Sequence, residues 1–365
     1  MPHGCQEELA KEYLLMVEQS NIYAGVAGYF GKTEQKGRVG VFRRATAGGD
    51  WQHVLGSVQA FTVFVHPRNP EMVFAGTNDG IWRSTDRGAT FRRTAFPDDK
   101  REVWSFLVDS RDPNRIFAGA SPIDVYRSDD GGASWWRLPT PAVDIHCKGP
   151  FASRVMRLVQ HPKRHDEIYA ALEINGVMRS IDLGQTWSDC SAGLLKLAEH
   201  EHLKSKIVSD TTAEGMLDSH AVTINPADPD SVWLAVRMGL FRSSDQGHTW
   251  KDMEVGRFSP TTYGRDIRVS PIEPNTLYSA LSVAAASHDG GLYRSEDGGE
   301  SWKRFDKVQV HGTIMSIGLH PTDAAQVYLG ARYDGEIFGT RDAGKSWQAM
   351  PLPGDVQHIY SLACG

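Results

Sequence analysis

Apolar and polar residues follow the same order several times along the chain. Residues 61–65 form an apolar run rich in aromatic and β-branched side chains, which predicts a strand, and a turn at 66–70 follows it. A second apolar run at 72–76, a short loop and a third run at 80–83 complete the pattern. Each unit therefore predicts a meander of short antiparallel strands, and we expect little helix.

Each unit ends in a polar motif, Arg-Ser-x-Asp-x-Gly-x-Ser/Thr-Trp, of which residues 242–250 are a clear copy. The motif predicts a hairpin turn, because the aspartate can accept bonds from the turn's N–H groups and glycine tolerates a left-handed conformation. The final aromatic residue is expected to start the next strand and to pack between neighbouring sheets. Six copies carry the aspartates Asp86, Asp130, Asp182, Asp245, Asp297 and Asp342. A seventh, divergent copy at 43–51 has Thr46 at that position.

The spacing of the motifs predicts the architecture. Measured from Thr46 through the six box aspartates in chain order, successive motifs are 40, 44, 52, 63, 52 and 45 residues apart. Periods of about 40–50 residues that hold several short strands are typical of propeller blades. The chain is therefore predicted to be all-β, a single seven-bladed β-propeller over residues 1–365 with four strands per blade. Residues 358–363 resemble an innermost strand, so we expect the C-terminal strand to enter the first blade and close the ring.

These motifs resemble the Asp-box (BNR) repeats of sialidases, sortilins, xyloglucanases and a photosystem II assembly factor. The resemblance covers nearly the whole chain and implies the propeller fold. It implies no single activity, because these families do unrelated things. In the resembling families the box aspartates lie on the rim away from the active face. The six aspartates are therefore expected to be structural rather than calcium ligands.

Two enzyme classes suggested by the resemblance fit poorly. Sialidase-like chemistry needs an arginine cluster and a tyrosine activated by a carboxylate. The chain has such residues, but it lacks the expected Phe-Arg-Ile-Pro segment and has seven repeats instead of six. Xyloglucanases resemble two tandem propellers with an open cleft between them, whereas this chain predicts one propeller.

Composition narrows the class of protein. The formal net charge of −6 argues against nucleic acid, which requires a basic face. No window approaches a membrane span, and the N-terminus lacks the pattern of a signal peptide. The cysteines Cys5, Cys147, Cys190 and Cys364 form no paired motif, which favours free thiols in a reducing compartment. We therefore expect a cytoplasmic protein with neither nucleic-acid nor membrane partners.

Strand direction places the boxes at one end of the ring and the long loops at the other. The longest loop is the insertion 188–219, which also holds the best helix candidate, 193–206; long loops of this kind are usually functional or disordered. The residues expected to line the funnel beneath these loops are Gln59, Asn78, Glu102, Trp104, Arg154, Arg157, Glu173, Asp218, His220, Arg237, Arg265, Asp266, His311, Arg332, Tyr333 and His358. So many charged groups at positions that are small or apolar in an ordinary blade predict a ligand pocket. A solvated channel mouth is the alternative.

The arginines suggest a small polar, anionic ligand, because guanidinium groups bind such groups bidentately. The predicted ligand-binding residues are Arg154, Arg237, Arg265, Arg332, Tyr333, Glu173 and His358. If the site is catalytic, we expect hydrolase or lyase chemistry in which His220 or His311 is the acid–base group. Glu102 or Asp266 would then orient that histidine.

Two further hypotheses remain open. A divalent metal ion on the propeller axis could be held by His220, His311 and His358, which supply nitrogen ligands from separate blades. The alternative to a small-molecule site is a non-catalytic protein–protein interaction or assembly scaffold, in which the insertion 188–219 is an interaction arm.

Overall fold

The computed structural model describes residues 20–28, 37–332, 335–356 and 358–365. Within these ranges, strands in seven four-stranded antiparallel sheets account for nearly all regular structure. In chain order the strands are β1 (Asn21–Val26), β2 (Gly40–Ala45), β3 (Gln52–Leu55), β4 (Ala60–Val65), β5 (Val73–Thr77), β6 (Gly80–Ser84), β7 (Arg92–Arg93), β8 (Glu102–Val108), β9 (Ile116–Ser121), β10 (Asp124–Ser128), β11 (Trp136–Arg137), β12 (Arg154–Gln160), β13 (Ile168–Glu173), β14 (Gly176–Ser180), β15 (Ser188–Asp189), β16 (Ser219–Asn225), β17 (Asp228–Val236), β18 (Gly239–Ser243), β19 (Lys251–Asp252), β20 (Tyr263–Val269), β21 (Leu277–Ser282), β22 (Gly290–Ser295), β23 (Lys303–Arg304), β24 (Ile314–Leu319), β25 (Val327–Ala331), β26 (Ile337–Thr340), β27 (Gln348–Ala349) and β28 (Ile359–Cys364).

The seven sheets are the blades of a β-propeller, and the ring closes as predicted. Six blades consist of four consecutive strands, whereas the first has the order β28-β1-β2-β3. The C-terminal strand β28 pairs with β1 in a ladder from Ile22–Cys364 onward. The backbones of Asn21 and Gly365 exchange two hydrogen bonds of 2.8 and 3.0 Å beside that ladder. Because the last strand completes the first blade as its innermost strand, β1 is paired on both sides and the two ends of the described chain meet in one sheet.

In each of the six aspartate boxes, the turn itself uses the carboxylate. Asp130 accepts hydrogen bonds from the Ser128 hydroxyl at 2.7 Å and from the Ser134 hydroxyl at 2.6 Å, and a bond of 3.0 Å comes from the Ser134 N–H. Partial burial disfavours the charge of this carboxylate, but the bonds from Ser134 and Ser128 outweigh burial and lower its pKa to about 2. The box carboxylates thus stabilise the turn between the third and fourth strands.

Each box also contacts the preceding blade. Trp302, at the end of the sixth blade's box, packs edge-on against Trp233 of the fifth blade, with ring centroids 6.2 Å apart. Gly299 in the same box has φ +96°, and a Cβ atom there would lie 2.3 Å from the Trp233 ring. Glycine is therefore required both by the backbone conformation and by the close approach of the neighbouring blade.

The insertion between β15 and β16 is packed onto the fourth and fifth blades. It contains the helices Ala192–Leu197 and Glu214–Leu217 and the 3₁₀ turn Glu201–Leu203; a second 3₁₀ turn, Val255–Arg257, lies in the next connection. The single helix predicted over 193–206 is wrong in extent, because the chain turns after Leu197 to bury Leu203 in the same hydrophobic cluster as Leu194. No helix among the described residues is long and apolar enough to cross a membrane.

Replacing Gly299 with alanine tests the contact between boxes and blades. We expect Gly299→Ala to lower the free energy of unfolding by about 2–4 kcal/mol, because the left-handed backbone and the Trp233 ring both oppose a Cβ atom. Urea denaturation followed by tryptophan fluorescence measures the change. Gly354→Ala is the control, since a Cβ atom at Gly354 has no neighbour within 4 Å among the described residues. Equal stability of the two variants would contradict this account.

A ring of bulged residues around the axis

The innermost strand of every blade carries a β-bulge near the end of the ring that bears the long loops. In the second blade, for example, the ladder between β4 and β5 pairs Ala60 and Thr62 but skips Phe61. A bulge leaves the extra residue unpaired and redirects its side chain. We call the seven skipped residues the bulge ring: Phe61, Trp104, Met156, His220, Arg265, Met315 and Tyr360.

All seven residues of the bulge ring line one cavity on the propeller axis, with a volume of about 290 Å³. Five of them are apolar or aromatic, and the two that are charged or titratable, His220 and Arg265, come from adjacent blades. Ligand pockets are commonly apolar with a few polar groups, and they reach volumes of about 300–1,000 Å³. The cavity is therefore at the lower end of the range for a small organic molecule.

The apolar side of the cavity is made by the first three blades. Phe61 and Trp104 are stacked with ring centroids 4.2 Å apart, and Tyr360 meets both rings edge-on at 6.1 Å. Met315 belongs to the same buried cluster, and Met156 packs against it. Offset and edge-on contacts of this kind stabilise aromatic groups beyond their burial. The result is a rigid apolar surface that faces the polar fifth and sixth blades.

His220 is held in one orientation on the polar side. Its Nδ1 atom lies 2.7 Å from the carbonyl oxygen of Gly264, so Nδ1 must carry a proton and donate it. The Nε2 atom lies 3.2 Å from the Tyr263 hydroxyl and 3.3 Å from a carboxylate oxygen of Asp218. Burial raises the pKa of Tyr263 to about 12, so its hydroxyl keeps its proton and can donate to Nε2.

Arg265 is the one arginine of the bulge ring, and it has no carboxylate within hydrogen-bond distance among the described residues. The guanidinium is 7% exposed, and its nearest carboxylate in the described chain is Glu173, at 4.0 Å. That distance is too long for a hydrogen bond. Burial disfavours the charged form, but the oxygens of Tyr263, Glu173 and Asp218 outweigh it and raise the pKa of Arg265 above its usual value. Arg265 therefore presents a permanent positive charge to the cavity, and its guanidinium N–H groups can donate to a ligand.

Most other predicted arginines are already paired with carboxylates. Arg154 forms an ion pair with Glu173 and lies over the Trp104 ring, 4.4 Å from its centroid. Arg237 donates two bonds to Asp218, at 2.9 and 2.7 Å, and a third to Glu214 at 3.0 Å. Arg154 is thus neutralised by Glu173, and Arg237 by Asp218 and Glu214, and none of Arg154, Arg237 and Glu173 is among the residues that line the axial cavity.

Asp266 is the centre of a buried network that joins three blades. Its carboxylate accepts bonds of 3.0 Å each from Arg157 of the fourth blade, Arg268 of its own blade and the backbone N–H of Ile317 in the seventh. Burial opposes its charge, but Arg268 and Arg157 lower the pKa of this carboxyl below its usual value. These bonds occupy both oxygens of Asp266, which suits the group to hold the ring together rather than to orient His220.

The remaining predicted residues lie around the mouth. Glu102 accepts a bond of 3.1 Å from the Trp104 indole N–H, and Arg332 donates one of 2.7 Å to the Tyr360 hydroxyl. The Asn78 side chain accepts a bond from the backbone N–H of Gln59 at 2.8 Å. His358 precedes β28, where its carbonyl accepts a bond from Ala27. Tyr333 lies outside the described residues.

His311 is 66% exposed, and its ring bonds Glu336 at 3.1 Å. The described residues contain two groups of three possible metal donors, namely Glu173, Asp218 and His220, and Asp144, His146 and Asp189. Neither group includes His311 or His358, so the three-histidine metal site stays a prediction. In the first group Arg154 and Arg237 already neutralise the two carboxylates, and their positive charges oppose a cation there.

Sequence reasoning named three members of the bulge ring and missed Phe61, Met156, Met315 and Tyr360. Alternation along a strand does not reveal a bulge. Aligning the repeats would have given a signal, because a large residue in each inner strand precedes a small one in five blades, as in Trp104–Ser105 and Tyr360–Ser361. The two exceptions, Arg157 and Asp266, are the partners of the axial ion pair.

The comparisons with known proteins agree with this architecture. A family model described as Sortilin, neurotensin receptor 3, matches residues 290–364. The xyloglucanase Xgh74A of Acetivibrio thermocellus is 25% identical over 230 residues, which cover 53% of this chain and 26% of that enzyme. The chain thus spans only about a quarter of the length of that relative.

Solved structures share the fold at low identity. A GH74 enzyme of Niastella koreensis aligns with a TM-score of 0.61 and 12% identity over 90% of this chain and 47% of its own. YCF48 bound to a D1 peptide aligns with a TM-score of 0.51 and 13% identity over 80% of this chain and 82% of its own. The chain belongs to the Asp-box (BNR) repeat β-propeller superfamily. The chain is similar both to xyloglucanases and to YCF48, which shows the fold. The activity has to be argued from the residues of the site, because one fold can serve unrelated functions.

Removing the carboxylate at the centre of the Asp-box propeller tests the axial network. Asp266→Asn leaves the half-buried Arg157 and Arg268 without a compensating charge, so we expect the free energy of unfolding to fall by about 2 kcal/mol or more. The control is Asp355→Asn, which breaks the exposed pair with Arg38 and should leave stability nearly unchanged, because water screens such a pair. Urea denaturation at pH 7 compares both with the wild type. A loss for Asp266→Asn no larger than the control would show that the network does not stabilise the ring.

Proposed function

We propose that the axial cavity binds a small organic anion that has an apolar, planar body. The observation that supports this is the division of the bulge ring into an aromatic side and a polar side. Arg265 would hold the anionic group through paired N–H donors, which match carboxylate, sulfonate and phosphate oxygens. The body of the ligand would lie against Phe61, Trp104 and Tyr360, where its apolar surface leaves water.

His220 is the group of this site best suited to exchange a proton with such a ligand. Its Nδ1 proton is engaged by the Gly264 carbonyl, so proton exchange would use Nε2, where a ligand would have to replace the Tyr263 hydroxyl as the partner. General acid–base catalysis requires a group of this kind within hydrogen-bond reach of the reacting atom. We therefore assign hydrolase or lyase chemistry, if the bound anion reacts, to the polar side of the cavity with His220 as its acid–base group.

The Arg265→Gln variant tests the proposed binding. We expect at least about a tenfold loss of affinity for a fluorescent aromatic sulfonate, because a charge-assisted bond contributes about 1.5–3 kcal/mol. Fluorescence titration of 1-anilinonaphthalene-8-sulfonate measures the affinity, and denaturation curves check that the variant is folded. Arg304→Gln, on the outermost strand β23 of the same blade, is the matched control and should bind as the wild type does. Equal loss in both variants, or none in either, would rule out Arg265 as the anion-binding group.

A second candidate function, protein docking, is favoured by the tip of the insertion. The buried carboxylate of Glu214 accepts bonds from the backbone N–H groups of Ile207, Val208 and Ser209, at 2.8, 3.2 and 3.1 Å. Ile207 and Val208 are nevertheless 67% and 61% exposed. Two apolar side chains are therefore presented to solvent on a loop that a buried charge holds fixed. YCF48, which shares the fold, is known in a complex with a peptide.

This second function predicts that the tip, rather than the cavity, captures a protein. Deleting the whole insertion would uncover the cluster around Leu194, Met216 and Leu217, so a smaller change is needed. We expect the double variant Ile207→Ser, Val208→Ser to keep wild-type stability and sulfonate affinity but to lose partners recovered by pull-down. The control is Val283→Ser, an equally exposed apolar residue on a different loop. Retention of the same partners by the double variant would exclude the tip as a docking site.

A further inference from the structure

The third strand of six blades carries an arginine at the first position of the box. These arginines are Arg43, Arg83, Arg127, Arg179, Arg242 and Arg294. Because they occupy equivalent places in equivalent sheets, each copy is an internal control for the others. Differences in their surroundings therefore reflect local chemistry rather than the fold.

Four of the six arginines have a carboxylate partner, and Arg43 instead donates to the carbonyl oxygen of Arg87 and to the side-chain oxygen of Gln52. Arg127 pairs with Asp129 at 2.7 Å, and Arg294 pairs with Glu296 at 2.7 Å; both acids lie two residues after the arginine. Arg179 pairs with Glu167 at 3.0 Å. Arg242 pairs with Asp228 and Glu300, at 2.9 and 2.8 Å. The usual state of this position is a neutralised guanidinium.

Arg83 in the second blade departs from this rule. Within the described residues it has no carboxylate within 4.0 Å, and its Nε atom is buried without a hydrogen-bond acceptor. Threonine, Thr85, stands where Arg127 and Arg294 have their acids. The nearest acid at the start of β5, Glu71, is already paired with Arg87 at 2.9 Å. A buried donor with no acceptor is unfavourable, and this one faces an open groove.

A second arginine doubles the positive charge at this place. Arg92 of β7 lies directly opposite Arg83 in the ladder between β6 and β7. Arg92 also lacks an acidic partner in the described chain, whereas its neighbour Arg93 pairs with Asp79 and Asp99. Like charges directly opposite each other on a sheet destabilise it. An added anion between Arg83 and Arg92 would remove that repulsion.

Both arginines line a groove of about 440 Å³ between the second blade and the box of the third. The hydroxyl-bearing residues Thr85, Thr90 and Thr94 line it too. Asp86 also borders the groove, but Ser84 and Thr90 engage both oxygens of its carboxylate inside the box. The groove thus offers two guanidinium groups without an ion-pair partner, beside one carboxylate whose oxygens are already held by neutral donors.

We propose that this groove binds a phosphate group through Arg83 and Arg92. A phosphate monoester carries a charge of about −1.5 to −2 at neutral pH and three strong acceptor oxygens, so one such group can accept bonds from both guanidinium groups at once. Each guanidinium presents a planar fork of N–H donors that fits phosphate oxygens. The phosphate can come from inorganic phosphate or from a phosphorylated serine of a partner protein. The site lies on the outer edge of the ring and is independent of the axial cavity.

The test adds the missing acid. Thr85→Asp restores the arrangement that Arg127 and Arg294 have naturally, so it should fold normally while neutralising Arg83. Isothermal titration at constant ionic strength, with the Arg265→Gln chain as the background, follows the binding of inorganic phosphate and of a short phosphoserine peptide. We expect saturable binding of at least one probe, and a loss of about tenfold or more in Thr85→Asp and in Arg83→Gln. Arg242→Gln, the equivalent arginine of the fifth blade, should change nothing.

The outcomes separate the sources and decide the proposal. Tighter binding of the phosphoserine peptide than of inorganic phosphate supports a phosphorylated partner, and the reverse supports free phosphate. Absence of saturable binding by both probes would overturn the proposal. Binding that survives both Thr85→Asp and Arg83→Gln would overturn it as well, because the anion would then lie elsewhere.

Discussion

Successive side chains of a β-strand point to opposite faces of the sheet. A bulge in the inner strand of a propeller blade inserts one extra residue, which is unpaired and whose side chain takes a new direction. In this protein all seven inner strands carry the bulge at the corresponding place. The ring symmetry of the fold therefore brings seven redirected side chains to the same height on the axis. One residue per blade therefore contributes to the cavity from the bulge, beside neighbours such as Arg157 and Arg268 that line it too.

Charged side chains near the axis are stabilised by ion pairs between blades. Arg157 reaches Asp266 from two blades away, at 3.0 Å, and the intervening blade has the small residue Ala221 at the matching position. Burial and the nearby Arg268 lower the pKa of Arg157 to about 10, yet it remains charged at neutral pH. Arg157 and Arg268 share the one carboxylate of Asp266 and also line the cavity, so together with Arg265 they make its polar side positive. Stability and the character of the pocket thus depend on the same few contacts.

The sequence was sufficient for the architecture because the boxes are local. Each aspartate bonds residues two to four positions away, as Asp130 does with Ser128 and Ser134, so seven motifs predict seven blades. The site was predicted only in part. Arg154 and Glu173 face each other in the ladder of the fourth blade, and Arg237 pairs with Asp218 beside the fifth, so their charges are neutralised by a strand register that no spacing encodes. The bulges were missed for a related reason, since alternation along one strand contains no information about the register of its neighbour.

The most direct test of the axial site is a crystal structure of the protein soaked with 4-bromobenzoate, a planar anion marked by an anomalous scatterer. The account predicts one bromine peak against Phe61 and Trp104, with the carboxylate within hydrogen-bond distance of Arg265. A bromine peak only outside the axial cavity, or a cavity that stays free of the compound at saturating concentration, would contradict it.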